Sequence, residues 1–185
     1  DLHLLSRRQR QMCIRDRFGK GPAAATLLCD LAKGVLAVVI CRLVVTNGFG
    51  VTFFHDDKFI GYLAGFFVML GHIFPVFYGF HGGKGVLIAA TTLIAIDPLT
   101  CAFSVAVFAI VLAATKYVSV GSICAAIAYP VFTPIVQLFI IKGDGVLANT
   151  LMATAIGLLI IYMHRPNIKR LMNGTENKFG SKKKA

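Results

Sequence analysis

From residue 86 to residue 115 the chain carries a single charge, Asp97, and from 117 to 141 it carries none. Where water is excluded, backbone N–H and C=O groups must satisfy one another within the segment, so uncharged runs of this length fold as helices that cross a bilayer. Composition agrees: 57% of the 185 residues are hydrophobic, 15% are charged, and the mean hydropathy is +0.76. A soluble domain of that make-up would lack a polar surface. The expected fold is therefore an all-α, polytopic membrane helical bundle. Buried helices of a large soluble protein are the alternative.

A net charge of +11 raises the question of nucleic acid, and its placement answers it. Of 19 Lys and Arg, six lie from Arg7 to Lys20 and seven from Arg165 to Lys184. Basic flanks around apolar spans follow the positive-inside rule and place both ends in the cytosol. The lysines at 182–184 suit anionic lipid heads, and no aromatic-interleaved basic face suits nucleic acid. The five cysteines, at 13, 29, 41, 101 and 124, have neither zinc-site nor disulfide-framework spacing. No metal or cofactor is expected.

Residues 1–17 differ from the rest. They have no apolar run and no signal-peptide pattern. The string RQMCIRDR at 10–17 resembles translated sequencing adapter, and the segment is read as non-native. Six spans are drafted for the remainder: 23–46, 59–80, 86–96, 99–115, 119–141 (kinked at Pro130 and Pro134) and 146–163. The third has eleven residues, too few at about 1.5 Å each to cross a hydrocarbon core of about 30 Å. The turn before it would then sit at depth, where irregular backbone must be buried in protein or line a wet cavity.

That turn is the richest stretch. Gly82, Gly83, Lys84 and Gly85 open the helix at Val86. Glycines let backbone approach an anion, the helix N-terminus adds partial positive charge, and lysine adds a full one. The Walker A spacing is absent. A glycine turn with an interfacial lysine is the plainer alternative. His72 on the preceding span reads as bonded to a neighbouring carbonyl, and His81 as interfacial. A second group is His164 and Asn167, three apart: they share a face if the last span continues, unless Pro166 starts a new juxtamembrane helix. A basic stop to the last span explains them equally. The third is Ser119 in 116–122, where hydroxyls hold a phosphate or, as the favoured reading, cap a helix.

Together these stretches resemble one family, the bacterial acyl-phosphate:glycerol-3-phosphate acyltransferases (PlsY family). Residues 71–86 match the pattern G-H-x-F-P-x-F-x-x-F-x-G-G-K-G-V throughout, and 164–176 match H-x-x-N-I-x-R-L-x-x-G-x-E. Residues 18–34 resemble the segment after the family's first signature. The resemblance covers about 18–179, with 180–185 a basic tail. It implies transfer of a fatty acyl group from acyl-phosphate to glycerol 3-phosphate, giving lysophosphatidic acid and phosphate for phospholipid synthesis at the cytoplasmic face of a bacterial plasma membrane. By resemblance, Gly82, Gly83, Lys84 and Gly85 would hold phosphate and His164 and Asn167 would bind glycerol 3-phosphate, with Ser119 a further contact. Lys84 and His164 would carry catalysis. The His-x-x-x-x-Asp motif of other acyltransferases is absent, and the family's acyl-phosphate is thought to supply its own phosphate as base.

The match departs in two places. The family's first signature, a Ser-Gly-Asn-rich phosphate loop after another span, is expected upstream of Phe18 and would bring the count to seven helices; without it the chain is expected to be inactive. Leu87 and Ile88 follow Val86 where the family often has Ala-Thr. The rival reading is a small-anion membrane transporter, which predicts symmetry between halves. The 82–85 turn has no counterpart in 99–163. A purely structural membrane scaffold is the third reading, and it has no need of Lys84, His164 and Asn167 on one side.

Overall fold

The computed structural model describes residues 20–180 except 55, 57 and 81. The segment 1–17, His81 and the lysines at 182–184 lie outside the described residues. In chain order the helices are α1 (Lys20–Arg42, running on as a widened turn over Leu43–Gly48), α2 (Lys58–Ile73), α3 (Val86–Ile96), α4 (Pro98–Thr115), α5 (Val118–Ile135, widening over Val136–Ile141), α6 (Val146–Met163) and α7 (Arg165–Met172). The described residues form no sheet, only an isolated bridge between Phe53 and Asp56.

Three of the six expected segments, α4, α5 with its extension and α6, are long and apolar enough to cross a bilayer. Only 17% of α4 and 33% of α6 is buried in the protein, which leaves Phe103, Val105, Ile110, Leu151 and Leu158 facing outward. Apolar surface on that scale is disfavoured against water and comfortable against lipid tails. The chain is a multi-pass membrane protein.

One span stops well short of its expected end. α2 ends at Ile73 instead of running to 80. Phe74 makes the last helical bond, N to Leu70 O at 2.8 Å, and Pro75 then turns extended (φ −68°, ψ 122°). Proline cannot donate to the ladder and pushes its predecessor out of the helical region. The Asp97-Pro98 turn falls where the expected 86–96 and 99–115 spans meet, and it is packed inside the protein. Asp97 is fully buried, its carboxylate accepts from Thr100 N at 3.3 Å, and Pro98 fills the first turn of α4.

The helices pack as two triplets, α1–α2–α3 and α4–α5–α6, joined through α2–α6 and α3–α4. Small residues let the backbones approach. Gly61 and Gly65, four apart on α2, leave room for Ile96 and Thr92 of α3, and Gly34 of α1 leaves room for Thr91. Tyr62 and Tyr129 stack between the triplets, centroids 6.2 Å apart and 17° from parallel.

At one end of the bundle a buried polar network ties five segments together. Asn149 Nδ2 donates to Gln137 Oε1 (3.0 Å) and to Asp56. Gln137 Nε2 donates to the Tyr62 hydroxyl (3.2 Å) and to Asp97 (3.4 Å), and the Lys58 ammonium lies 3.6 Å from Asp97. A buried polar group without a partner is costly, so each of these side chains constrains its neighbours.

Candidate active site

The residues singled out in the sequence gather at the opposite end. Gly85 (φ +80°) caps α3 with no side-chain bond, and the first intrahelical bond runs from Ala89 N to Gly85 O at 2.8 Å. The N–H groups of 86–88 therefore have no intrahelical acceptor and give this end its partial positive charge. Lys84, half-buried, stands immediately before them.

The glycines at 82 and 83 have a use that the sequence does not reveal. Gly82 N donates to Ile73 O (3.0 Å) and Gly83 N to His72 O (3.3 Å), so the turn is folded back onto the end of α2. A Cβ on Gly82 would collide with the His72 carbonyl oxygen, and one on Gly83 with the His72 ring at Nε2. Both N–H groups are thus occupied, and these two glycines act by shape, leaving Lys84 and the α3 terminus as the positively charged elements of the turn.

Among the described residues the His72 ring meets no carbonyl, where one was expected. Its Nδ1 lies 3.0 Å from Lys33 Nζ, which also donates to Asp30 Oδ1 at 2.5 Å. Asp30 and Lys33 are three apart on α1, one helical turn, and so address the same neighbour. Their spacing was the signal available in the sequence.

The C-terminal group is built around an acid. The last span does not continue through Asn167: His164 (φ −90°, ψ 0°) breaks the helix and α7 begins with Pro166 in its first turn. His164 and Asn167 are 1% and 2% exposed. His164 Nδ1 is 2.8 Å from Ile160 O, and since a carbonyl only accepts, Nδ1 carries the proton and Nε2 is left as an acceptor in the neutral ring. Asn167 Nδ2 and the Ser119 hydroxyl both donate to Glu176 Oε1 at 2.9 Å, and Arg170 Nε donates to Oε2 at 2.7 Å. Ser119 therefore does not cap α5, whose N-cap is Tyr117 with no side-chain bond. Asn167 Oδ1 is buried with no hydrogen-bond partner among the described residues. Glu176 stood in the C-terminal pattern, yet nothing in the spacing marked it as the hub.

The glycine turn and this C-terminal group are within electrostatic reach. Burial holds the His164 imidazole below its ordinary pKa. The bond to Ile160 opposes this, the Lys84 ammonium adds to it, and the Glu176 carboxylate opposes it weakly. The assembly presents the Lys84 ammonium, the α3 terminus and two unprotonated acceptors, His164 Nε2 and Asn167 Oδ1. Such a set can neutralise a phosphate and accept from hydroxyls.

Comparison with known proteins points the same way. Residues 14–174 match the family model described as glycerol-3-phosphate acyltransferase. A glycerol-3-phosphate acyltransferase of Clostridioides difficile (strain 630) is 41% identical over 166 residues, 90% of this chain and 75% of the relative. One from Salinibacter ruber is 40% identical over 166 residues, 89% of this chain and 68% of the relative. Among solved structures, PlsY (YgiH), an integral membrane glycerol 3-phosphate acyltransferase, superposes in its lysophosphatidic acid form with a TM-score of 0.70 at 33% identity, covering 92% of this chain and 79% of that one. Its glycerol 3-phosphate form gives 0.69 at 34%, covering 92% and 77%. The chain belongs to the glycerol-3-phosphate acyltransferase family.

Proposed function

We propose that the protein transfers a fatty acyl group from acyl-phosphate to glycerol 3-phosphate, releasing phosphate and forming lysophosphatidic acid for phospholipid synthesis. The observation that carries this reading is the convergence of Lys84 and the α3 N-terminus on the His164–Asn167 group, which is anchored by Glu176. In the reaction a glycerol hydroxyl oxygen bonds to the acyl carbonyl carbon, the bond from that carbon to the phosphate oxygen breaks, and the hydroxyl proton passes to the departing phosphate. The acyl donor is already activated, so the protein's task is to orient two anions and neutralise them.

On this reading Lys84 and the 82–85 turn hold a phosphate, with Gly82, Gly83 and Gly85 giving the turn its shape. His164 Nε2 and Asn167 Oδ1 accept from glycerol hydroxyls, and Ser119 acts through Glu176. The acyltransferase unit spans 18–179, preceded by a non-native 1–17 and followed by a basic tail. Six helices cross or enter the bilayer of a bacterial plasma membrane, α2 and α3 incompletely, with the site at the cytoplasmic face, where the seven Lys and Arg from Arg165 to Lys184 follow the last span in keeping with the positive-inside bias. No observation on the bundle favours the transporter reading.

The test is glycerol 3-phosphate-dependent release of phosphate from an acyl-phosphate by the complete natural protein in detergent or liposomes. Lys84→Ala should insert normally and lose turnover by a factor on the order of a hundred or more, the usual cost of removing a charge-stabilising donor. Near-normal turnover would overturn the phosphate-turn role.

A further inference from the structure

We infer that His72 is a positioning residue of the phosphate-binding turn, with its tautomer set by the Lys33–Asp30 pair on α1. The inference rests on the proposed acyl transfer and deepens it. It assigns His72 the task of fixing the turn's pose and of pointing a neutral N–H donor along its Gly83 edge, toward a phosphate-bearing substrate.

The tautomer follows from donor chemistry. An ammonium has only donors to offer. Lys33 donates to Asp30 at 2.5 Å, and an ammonium that also approaches His72 Nδ1 at 3.0 Å requires a lone pair there. The ring proton must then sit on Nε2. Nε2 is the atom that occupies the space a Gly83 side chain would fill, and it has no hydrogen-bond partner among the described residues. The ring edge and the backbone of the same residue therefore grip the turn together, since His72 O accepts from Gly83 N.

The arrangement reaches back into helix packing. Lys33 can meet His72 because α1 lies close to α3 at the next residue, Gly34, where any side chain would collide with Thr91. One charge of each sign and a neutral ring add no net charge to the site. The effect of His72 should accordingly appear as orientation and binding of phosphate, and not as the bulk attraction that Lys84 provides.

Side-chain amides separate the two ring positions. Glutamine carries an N–H donor near the place of Nε2, and asparagine reaches only to that of Nδ1. We would measure kcat and KM for glycerol 3-phosphate and for acyl-phosphate separately, after confirming membrane yield and thermal midpoint. His72→Gln should stay within about threefold of the natural protein, whereas His72→Asn should raise one KM about tenfold, the equivalent of one hydrogen bond. The substrate whose KM moves is the one held by the turn.

A double-mutant cycle tests the tautomer. Lys33→Met should raise the same KM in the His72 protein and change little in the His72→Gln background, where no tautomer remains to be chosen. Equal behaviour of the Asn and Gln variants, or an equal Lys33→Met effect in both backgrounds, would overturn the inference. Should His72→Asn fail to fold, the Lys33→Met comparison decides alone. Failure here with an inactive Lys84→Ala variant removes only the role of His72; an active Lys84→Ala variant removes the underlying phosphate-turn reading.

Discussion

Ser119, at the start of α5, donates its hydroxyl to Glu176 in the C-terminal tail at 2.9 Å across 57 residues of sequence. The same carboxylate oxygen takes Asn167 Nδ2, and Phe179 N closes the tail onto Lys116 O at 2.6 Å. A single acidic side chain thus decides where Asn167 points.

Removing that acid should unfold the corner before it touches chemistry. Glu176→Ala leaves two buried donors and the Arg170 guanidinium without their acceptor, at about 1–3 kcal/mol for each buried group. Glu176→Gln keeps an oxygen for Ser119 and Asn167 and loses only the ionic partner of Arg170. Thermal midpoints in detergent should fall steeply for the alanine variant and mildly for glutamine. Equal midpoints would contradict the hub role.

Gly83→Ala should reduce both stability and turnover, because its new methyl enters the space of the His72 ring. Shortening the obstacle should help: Gly83→Ala with His72→Ala should recover part of the thermal midpoint lost in Gly83→Ala alone. Gly82→Ala offers no such rescue, since its methyl meets backbone carbonyls of His72 and Ile73. Purely additive effects in the first pair would show that the ring is not what Gly83 accommodates.

Protonation of His164 gives a pH signature with a definite sign. Burial, reinforced by Lys84, lowers its pKa in the folded protein. Between that value and the unfolded one, about 6.5, the unfolded chain binds more protons and stability rises with pH. Stability from this group is complete above about pH 6.5 and declines as pH falls below it. Thermal midpoints of the natural protein and of His164→Gln, followed from pH 8 to 5, should diverge above the window and converge below it. Parallel curves would refute this contribution.

At the far end, Asp97→Ala should be among the most destabilising single changes. It strips Thr100 N of its cap and leaves Lys58 and Gln137 facing a cavity, and breaking a buried charged pair on one side costs about 3–5 kcal/mol. The protein that still folds should retain its KM for glycerol 3-phosphate, because none of these groups belongs to the candidate site. A selective change in KM would tie this network to the site.

Much of this was legible in the residues. Uncharged runs set the helices, and the bounds of Val86–Ile96 and Val146–Met163 coincide with the expected 86–96 and 146–163. The 82–85 turn was legible because glycine, lysine and a helix start are adjacent in sequence. What escaped was pairing across distance. Asp30 and Lys33 could be read as charges near a membrane surface, but their meeting with His72, 39 residues away, depends on Gly34 admitting Thr91. The end of α2 escaped for a local reason: 74–80 is as apolar as the helix before it, and Pro75 outweighs hydropathy.

Helix α3 has eleven residues, so Lys84 and Asp97 stand at the two ends of a rod of about 16 Å, roughly half the thickness of a hydrocarbon core. One end is held by the Asp97 network and the other carries the turn. The rod acts as a depth gauge. Inserting one residue would advance the turn by about 1.5 Å and swing it by about 100°, carrying Lys84 away from His164 while every side chain of the site stayed intact. On the proposed function, the depth at which a water-soluble phosphate would meet a lipid-borne acyl group is set by the residue count of a helix that contributes no reactive side chain of its own.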